Sequence, residues 1–327
     1  MIPERAFNAA LLVGLVAIPL WAHWAGEAFT ITLATRAAIL ALAAVGLNIA
    51  LGYGGLVSLG HAAFFGIGGY AMGILAHHAQ TYSAVATWPF LIEGTKSMPI
   101  IWAAAIAASA LAAFLIGLLS LRSSGVYFIM ITLAFGQMFF FFTLSWARYG
   151  GEDGLPIYLR NGFPGLDTLD PIQFYALCLG LLLAALWITG RLIRAPFGLA
   201  LNAARQRPER VAATGIEPFR LRLVAFTLSG AITGLAGALF ADLNRFVSPA
   251  MFSWQTSGEF IVFVILGGVG RLYGPVAGAV LYVALEHWLG GLWDYWHILL
   301  GGLLLMVVLF ARGGIVGLLC GAARPHG

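Results

Sequence analysis

Five stretches of this chain run the width of a membrane without a formal charge. Residues 7–25, 100–121, 125–146, 172–190 and 224–241 contain no Asp, Glu, Lys or Arg. A helix needs about 20 apolar residues to cross a bilayer. Inside hydrocarbon every backbone N–H and C=O must find its partner within the protein. The runs therefore predict an all-α polytopic membrane protein. Only 9% of residues are charged, against roughly a quarter in soluble domains. Further apolar segments at 29–51, 52–75, 260–269, 276–289 and 298–310 bring the expectation to ten spans in one transmembrane domain, 1–327, with both termini cytoplasmic. Residues 260–269 are short, so 260–289 is read as two spans joined by a Gly-rich turn at Arg271, with one interrupted span as the alternative. The net charge of +4 is a topological bias of loops and not a nucleic-acid footprint. Cys178 and Cys320 fall near opposite faces, which leaves no disulfide framework.

Residues 191–222 carry the charge. Seven of the seventeen Lys+Arg sit there, against Glu209 and Glu217. A basic segment between apolar spans marks the cytoplasmic side. Pro196 opens one short helix, with Ala200, Leu201 and Ala204 on one side, and Pro208 opens a second that stops at Gly215. Two amphipathic helices at the surface suit either a protein partner or anionic lipid. The expected inner segments hold twelve basic residues: Arg5, Arg122, these seven, Arg271, Arg312 and Arg324. The outer segments hold Lys96, Arg148, Arg160 and Arg245. That asymmetry fixes the orientation.

Residues 52–75 hold eight glycines in twenty-four positions. A uniform helix disfavours Gly52, Gly54 and Gly55 so close together, so an unwound or re-entrant turn is expected there. A small-faced helix follows, with Gly60, Ala63, Ile67 and Ala71 on one side. Broken backbone at membrane depth must be buried or line a water-filled cavity, which makes Ser58 and His61 pathway candidates. An interhelical hydrogen bond is the stronger reading for His61. Gln137, with Thr132 on its face, is an interhelical or pathway amide. Ser229, Gly230, Thr233, Gly234 and Gly237 form a small face with a G-x-x-x-G pair. Asn48 reads as an interhelical bond, and Arg36 as snorkelling to the outer surface, with an aqueous cavity as the alternative. His77-His78 lacks a third metal ligand. Residues 77–99, containing Trp88, and 149–171 read as outer loops, as do 242–257, which Asp242 opens.

Three stretches together resemble the LivM-type permease subunits of branched-chain amino-acid ABC transporters. They are GYGGLVSLGHAAFFGIGGYAMGIL from Gly52, SSGVYFIMITLAFGQMFFFF from Ser123, and the basic segment followed by FTLSGAITGLAGALFADL and FIVFVILGGVGRLYGPVAGAVL. The likeness covers nearly the whole chain and departs at Leu199 and at Gln206-Arg207-Pro208. It implies a multi-pass protein of the bacterial inner membrane that moves leucine, isoleucine or valine by ATP-driven alternating access. Related permeases carry urea, short amides or aromatic acids. The resemblance implies a LivH-like second permease, two cytoplasmic ATPases and a periplasmic solute-binding protein. It makes 191–222 a coupling loop, with Arg205, Arg207, Glu209, Arg210 and Gly215 toward the ATPase. Ser58, His61, Thr132, Gln137, Ser229 and Thr233 would line the path. The chain has no Walker A pattern and binds no cofactor of its own; ATP and Mg belong to the ATPases.

Two other classes stand against this. An ion-coupled secondary transporter usually keeps an ionisable cluster at mid-membrane, and no Asp or Glu is expected at the centre of a span. A membrane-embedded enzyme would need a motif such as HExxH or GxSxG, and neither occurs.

Overall fold

The computed structural model describes residues 3–86, 92–291, 296–310 and 313–320. Trp88, Arg312 and Arg324 lie outside them. The described residues are predominantly helical. Six helical segments are long and apolar enough to cross a membrane: Glu4–Ala25 (α1), Ala28–Tyr53 (α2, Ala28–Asn48, with a π turn at Ile49–Tyr53), Met98–Ser120 (α4), Val126–Leu144 (α5), Pro171–Arg194 (α6) and Pro218–Asn244 (α9). The other four expected spans are also helices: His61–Gln80 (α3), Trp254–Gly267 (α10), Gly274–Gly290 (α11) and Trp296–Phe310 (α12). Residues 260–289 thus belong to two helices separated by a turn, not to one interrupted helix. Two short helices, Pro196–Gln206 (α7) and Pro208–Ala213 (α8), occupy the basic segment. A further one, Gly314–Cys320 (α13), has no counterpart in the sequence reading.

Helices α2 and α9 are the most buried of the six long segments. Small residues allow this. A methyl group on Gly68 would collide with the Gly234 carbonyl oxygen, and one on Gly237 with that of Phe65. Helices α3 and α9 therefore meet backbone to backbone, which is how membrane helices gain dispersion energy without a hydrophobic drive between them. The G-x-x-x-G pair serves two neighbours, because a methyl on Gly230 would press on Ala113 of α4. The expected small face of α3 turns toward α5, where a methyl on Gly60 would meet Thr132. Ile67 of that face lies in the groove beside α4 and α5, and Gly68 makes the approach to α9. Ser109 on α4 adds a hydrogen bond to the Phe64 carbonyl at 3.1 Å.

The loops sort to two ends. At one end lie Glu4, Asn48, the turn after α10, α7, and the start of α5. Arg271 there is 3.7 Å from Glu4 and 3.3 Å from the Val316 carbonyl. At the other end two small strand pairs form, Ala84–Ala86 (β1) with Ile92–Glu93 (β2), and Leu155–Pro156 (β3) with Phe246–Val247 (β4). His78 bonds Ser83 at 2.7 Å and Tyr149 at 3.0 Å there.

Two polar residues depart from expectation. Arg36 does not snorkel freely but pairs with Glu286 on α11 at 2.9 Å. Both side chains line one open groove and stay partly exposed, Arg36 at 37%. Asp242 does not open a loop. It sits buried in the last turn of α9 and accepts from Asn161 N at 3.2 Å and Nδ2 at 3.3 Å. Cys178 and Cys320 are both free thiols.

The close α3–α9 approach yields a direct test. Gly68→Leu should lower the thermal unfolding midpoint of the detergent-solubilised protein, at a cost above the roughly 1–3 kcal/mol of ordinary overpacking. Gly180→Leu, at a site with open space around it, should leave the midpoint unchanged.

Candidate functional site

The basic segment is built by its prolines. Ala195 is extended, as a residue before proline prefers to be, and it ends α6 before Pro196 starts α7. On α7, Gly198, Leu201 and Ala204 are buried, and Leu201 packs with Ile49 and Ala225. Arg207 breaks the helix, and Pro208 starts α8 at its first position. Gly215 at φ +84° turns the chain out of α8, with its N–H on the Ala212 carbonyl at 3.0 Å. A left-handed position of this kind favours glycine.

The expected coupling residues divide into two sets. Arg205 is exposed but reaches back to its own bundle. Its guanidinium donates to the Gly52 carbonyl, within the π turn that ends α2, and its side chain lies over Gly55. Arg222 on α9 donates to the Ala204 carbonyl at 3.1 Å and so holds the end of α7. Arg207, Glu209 and Arg210 are exposed, and their side chains pair with nothing among the described residues. One helical turn before Gly52, Asn48 clamps the turn between α10 and α11. Its Nδ2 donates to the Arg271 carbonyl at 3.0 Å, and its Oδ1 accepts from Gly270 N at 3.1 Å. Asn48 thus bonds another segment of the bundle, but a turn and not the helix expected of it. Sequence reading misses Arg222, because nothing local separates it from six other arginines in the segment.

The second feature is a pair of broken helices. The chain leaves the π turn at Tyr53 and becomes helical again only at His61. His61 meets Ser229, near the middle of α9, so α3 begins inside the bundle. After α9 the chain runs back along α3, with Val247 against Gly73, Met251 against Gly69 and Phe252 against Gly66. Helix α10 starts from there. The exposed amides at such breaks need partners. Ser58 Oγ accepts from Gly60 N at 3.2 Å, and Ser257 Oγ of α10 accepts from Ala62 N of α3 at 2.8 Å. Ser253 caps α10 through Thr256 N. Sequence reading misses Ser253 and Ser257, although a Ser just before an apolar helical run is a capping signal.

The six expected pathway residues do not form one lining in this conformation. Ser229 Oγ donates its one proton to the Gly46 carbonyl at 2.6 Å. It therefore accepts from His61 Nε2–H at 2.8 Å, which fixes the imidazole tautomer and leaves Nδ1 as a buried acceptor with no partner among the described residues. Phe64 and Phe226 stand edge-on to the ring at 5.4 and 5.5 Å. This ties α2, α3 and α9 together, the interhelical reading of His61. Thr233 donates to the Ser229 carbonyl at 2.9 Å, and Thr132 to the Ile129 carbonyl at 3.0 Å. Gln137 is different. It is half-buried on α5, and its amide pairs with nothing among the described residues. Its neighbour Gly136 lies 3.7 Å from the Leu59 carbonyl, measured from the position its Cβ would take. Helix α5 thus runs beside the first break, and Phe139 stacks on Phe252 of the second at 6.3 Å.

A family model described as branched-chain amino acid transport system / permease component matches residues 29–309. The chain is 30% identical to the high-affinity branched-chain amino acid transport system permease protein LivM of Escherichia coli (strain K12), over 96% of this chain and 75% of that protein. The same protein of Salmonella typhimurium matches at 30% with the same coverage. The autoinducer 2 import system permease protein LsrC of Yersinia pestis is 26% identical over 64% of this chain and 62% of that protein. No solved structure matches.

Removing the hydroxyl of Ser229 leaves the Gly46 carbonyl and His61 Nε2–H without their partner. Ser229→Ala should cost about 1–3 kcal/mol of stability, the penalty for buried polar groups left unpaired, read as a lowered melting midpoint in detergent.

Proposed function

The chain belongs to the branched-chain amino-acid transport permease family, and from that premise we propose that it is one of two permeases in an ATP-driven importer of leucine, isoleucine and valine. LivM relatives match along 96% of the chain, whereas the LsrC relative matches along 64%. That difference favours amino acids over the cargo of the second relative; urea, short amides and aromatic acids stay as alternatives within the family. The protein spans the bacterial inner membrane ten times with both termini in the cytoplasm. It hydrolyses nothing itself. Its partners are a LivH-like permease, two cytoplasmic ATPases that bind ATP and Mg, and a periplasmic binding protein.

The observation that carries the coupling assignment is the split within 191–222. Arg207, Glu209 and Arg210 face outward with their side chains unengaged among the described residues, as docking residues should. Arg205 and Arg222 hold α7 to α2 and α9, as transmission residues should. Movement of the ATPase would then reach the Gly52 carbonyl, and through Asn48 the turn between α10 and α11. The path lies beside α5 near the two helix breaks, with Gln137 as its polar contact. His61, Ser229, Thr132, Thr233 and Ser58 support the wall from behind in the present conformation and reach cargo only if the helices separate.

Two measurements test this. Reversing the charges of Glu209 and Arg210 together should sharply reduce co-purification of the ATPase. Arg205→Ala should leave the ATPase bound but lower uptake per ATP hydrolysed, because a charge-assisted bond between α7 and α2 is lost. Normal coupling in the Arg205 variant would sink the transmission role. Uptake of labelled leucine into vesicles should stop on ATP depletion and persist when ion gradients are collapsed; the opposite pattern would favour an ion-coupled transporter.

A further inference from the structure

Beside the coupling segment, but outside the contacts just described, α6 ends over a cavity of about 530 Å³. One face of its last three turns lines it. Leu183, Leu186 and Trp187 come first, then Arg191 and Arg194. The spacing of three and four residues puts them on a single stripe that grades from apolar to aromatic to basic. Trp187 is 67% exposed and Leu183 is 40% exposed. The Arg191 guanidinium lies 6.0 Å from the Trp187 ring centre. Leu272 and Tyr273, from the turn after α10, complete the lining.

This gradient matches the depth profile of one phospholipid. Acyl chains want the leucines, the glycerol region sits at the level where Trp and Tyr gather, and a phosphate wants guanidinium groups. Neither Arg191 nor Arg194 has a carboxylate partner among the described residues. Two unneutralised arginines at the rim select for negative charge in the occupant. We propose that this cavity is a binding site for an anionic phospholipid of the leaflet facing the basic segment, with Arg191 and Arg194 on the phosphate and the acyl chains along Leu183 and Trp187. The site requires only that the chain be membrane-embedded; it is independent of what the protein transports. Through the turn at Leu272 and Tyr273, lipid occupancy would brace the same turn that Asn48 clamps.

The test uses the full-length chain with its assembled partners, extracted in mild detergent and supplied with equal amounts of phosphatidylglycerol and phosphatidylethanolamine. Retained lipid is counted by native mass spectrometry. The wild-type protein should keep phosphatidylglycerol in preference, and the double variant Arg191→Gln, Arg194→Gln should lose that preference by roughly tenfold or more. Arg220→Gln, at an exposed ion pair with Glu217, should keep it. Equal retention by the double variant and the wild type would overturn the site. A photo-crosslinking side chain in place of Trp187 should give phospholipid adducts in native membranes. Adducts to another polypeptide would instead make this face a subunit interface and overturn the lipid assignment.

Discussion

Backbone that leaves the α-helical pattern at the buried end of a helix needs a partner outside that helix, and the architecture follows from how this chain supplies it. The π turn that ends α2 frees the Gly52 carbonyl, and the guanidinium of Arg205 meets it. The same neighbourhood holds an amide and a carbonyl of the turn after α10, and Asn48 meets those. One arginine and one asparagine thus convert two unwound segments into a joined surface under α7. A charge-assisted bond is stronger than a neutral one, and the burial of Asn48 raises the cost of losing its bonds. The unwinding of α2 thus gives the basic segment one of its anchors, beside Arg222 and the packing of Leu201.

Much of this is legible in the sequence because membrane helices obey few rules. The uncharged runs of about 20 residues correspond to α1, α4, α5, α6 and α9. Pro196, Pro208 and Gly215 mark the short helices because each acts through local backbone geometry. Side-chain partnerships across the bundle are harder. Arg36 reads as snorkelling because its partner, Glu286, lies 250 positions away, and no local pattern links them. Asp242 reads as a loop residue because an acid after an apolar run usually ends a span; a buried Asn161 on another loop makes the exception. Periodicity finds the small stripe of α3 but not the neighbour it meets, nor the separate approach that Gly68 makes to α9.

The pathway residues show the same limit. Ser229, Thr233, Thr132 and His61 stand out in sequence as polar groups in apolar surroundings. Short hydroxyl side chains in membrane helices commonly bond a carbonyl one turn back or on the next helix, and the three hydroxyls here do. Gln137 has a longer reach and two donors, and it stays unengaged among the described residues. Spacing alone does not separate the two kinds of group.

The backbone contact between Gly68 and Gly234 has a mechanical corollary. A slide of α3 by one turn in either direction would bring Phe64 or Met72 to the place that only a hydrogen atom now fills. A one-turn slide of α3 along α9 is therefore sterically blocked. The contact between the rings of Phe139 of α5 and Phe252 imposes no such block, because parallel ring faces do not interlock.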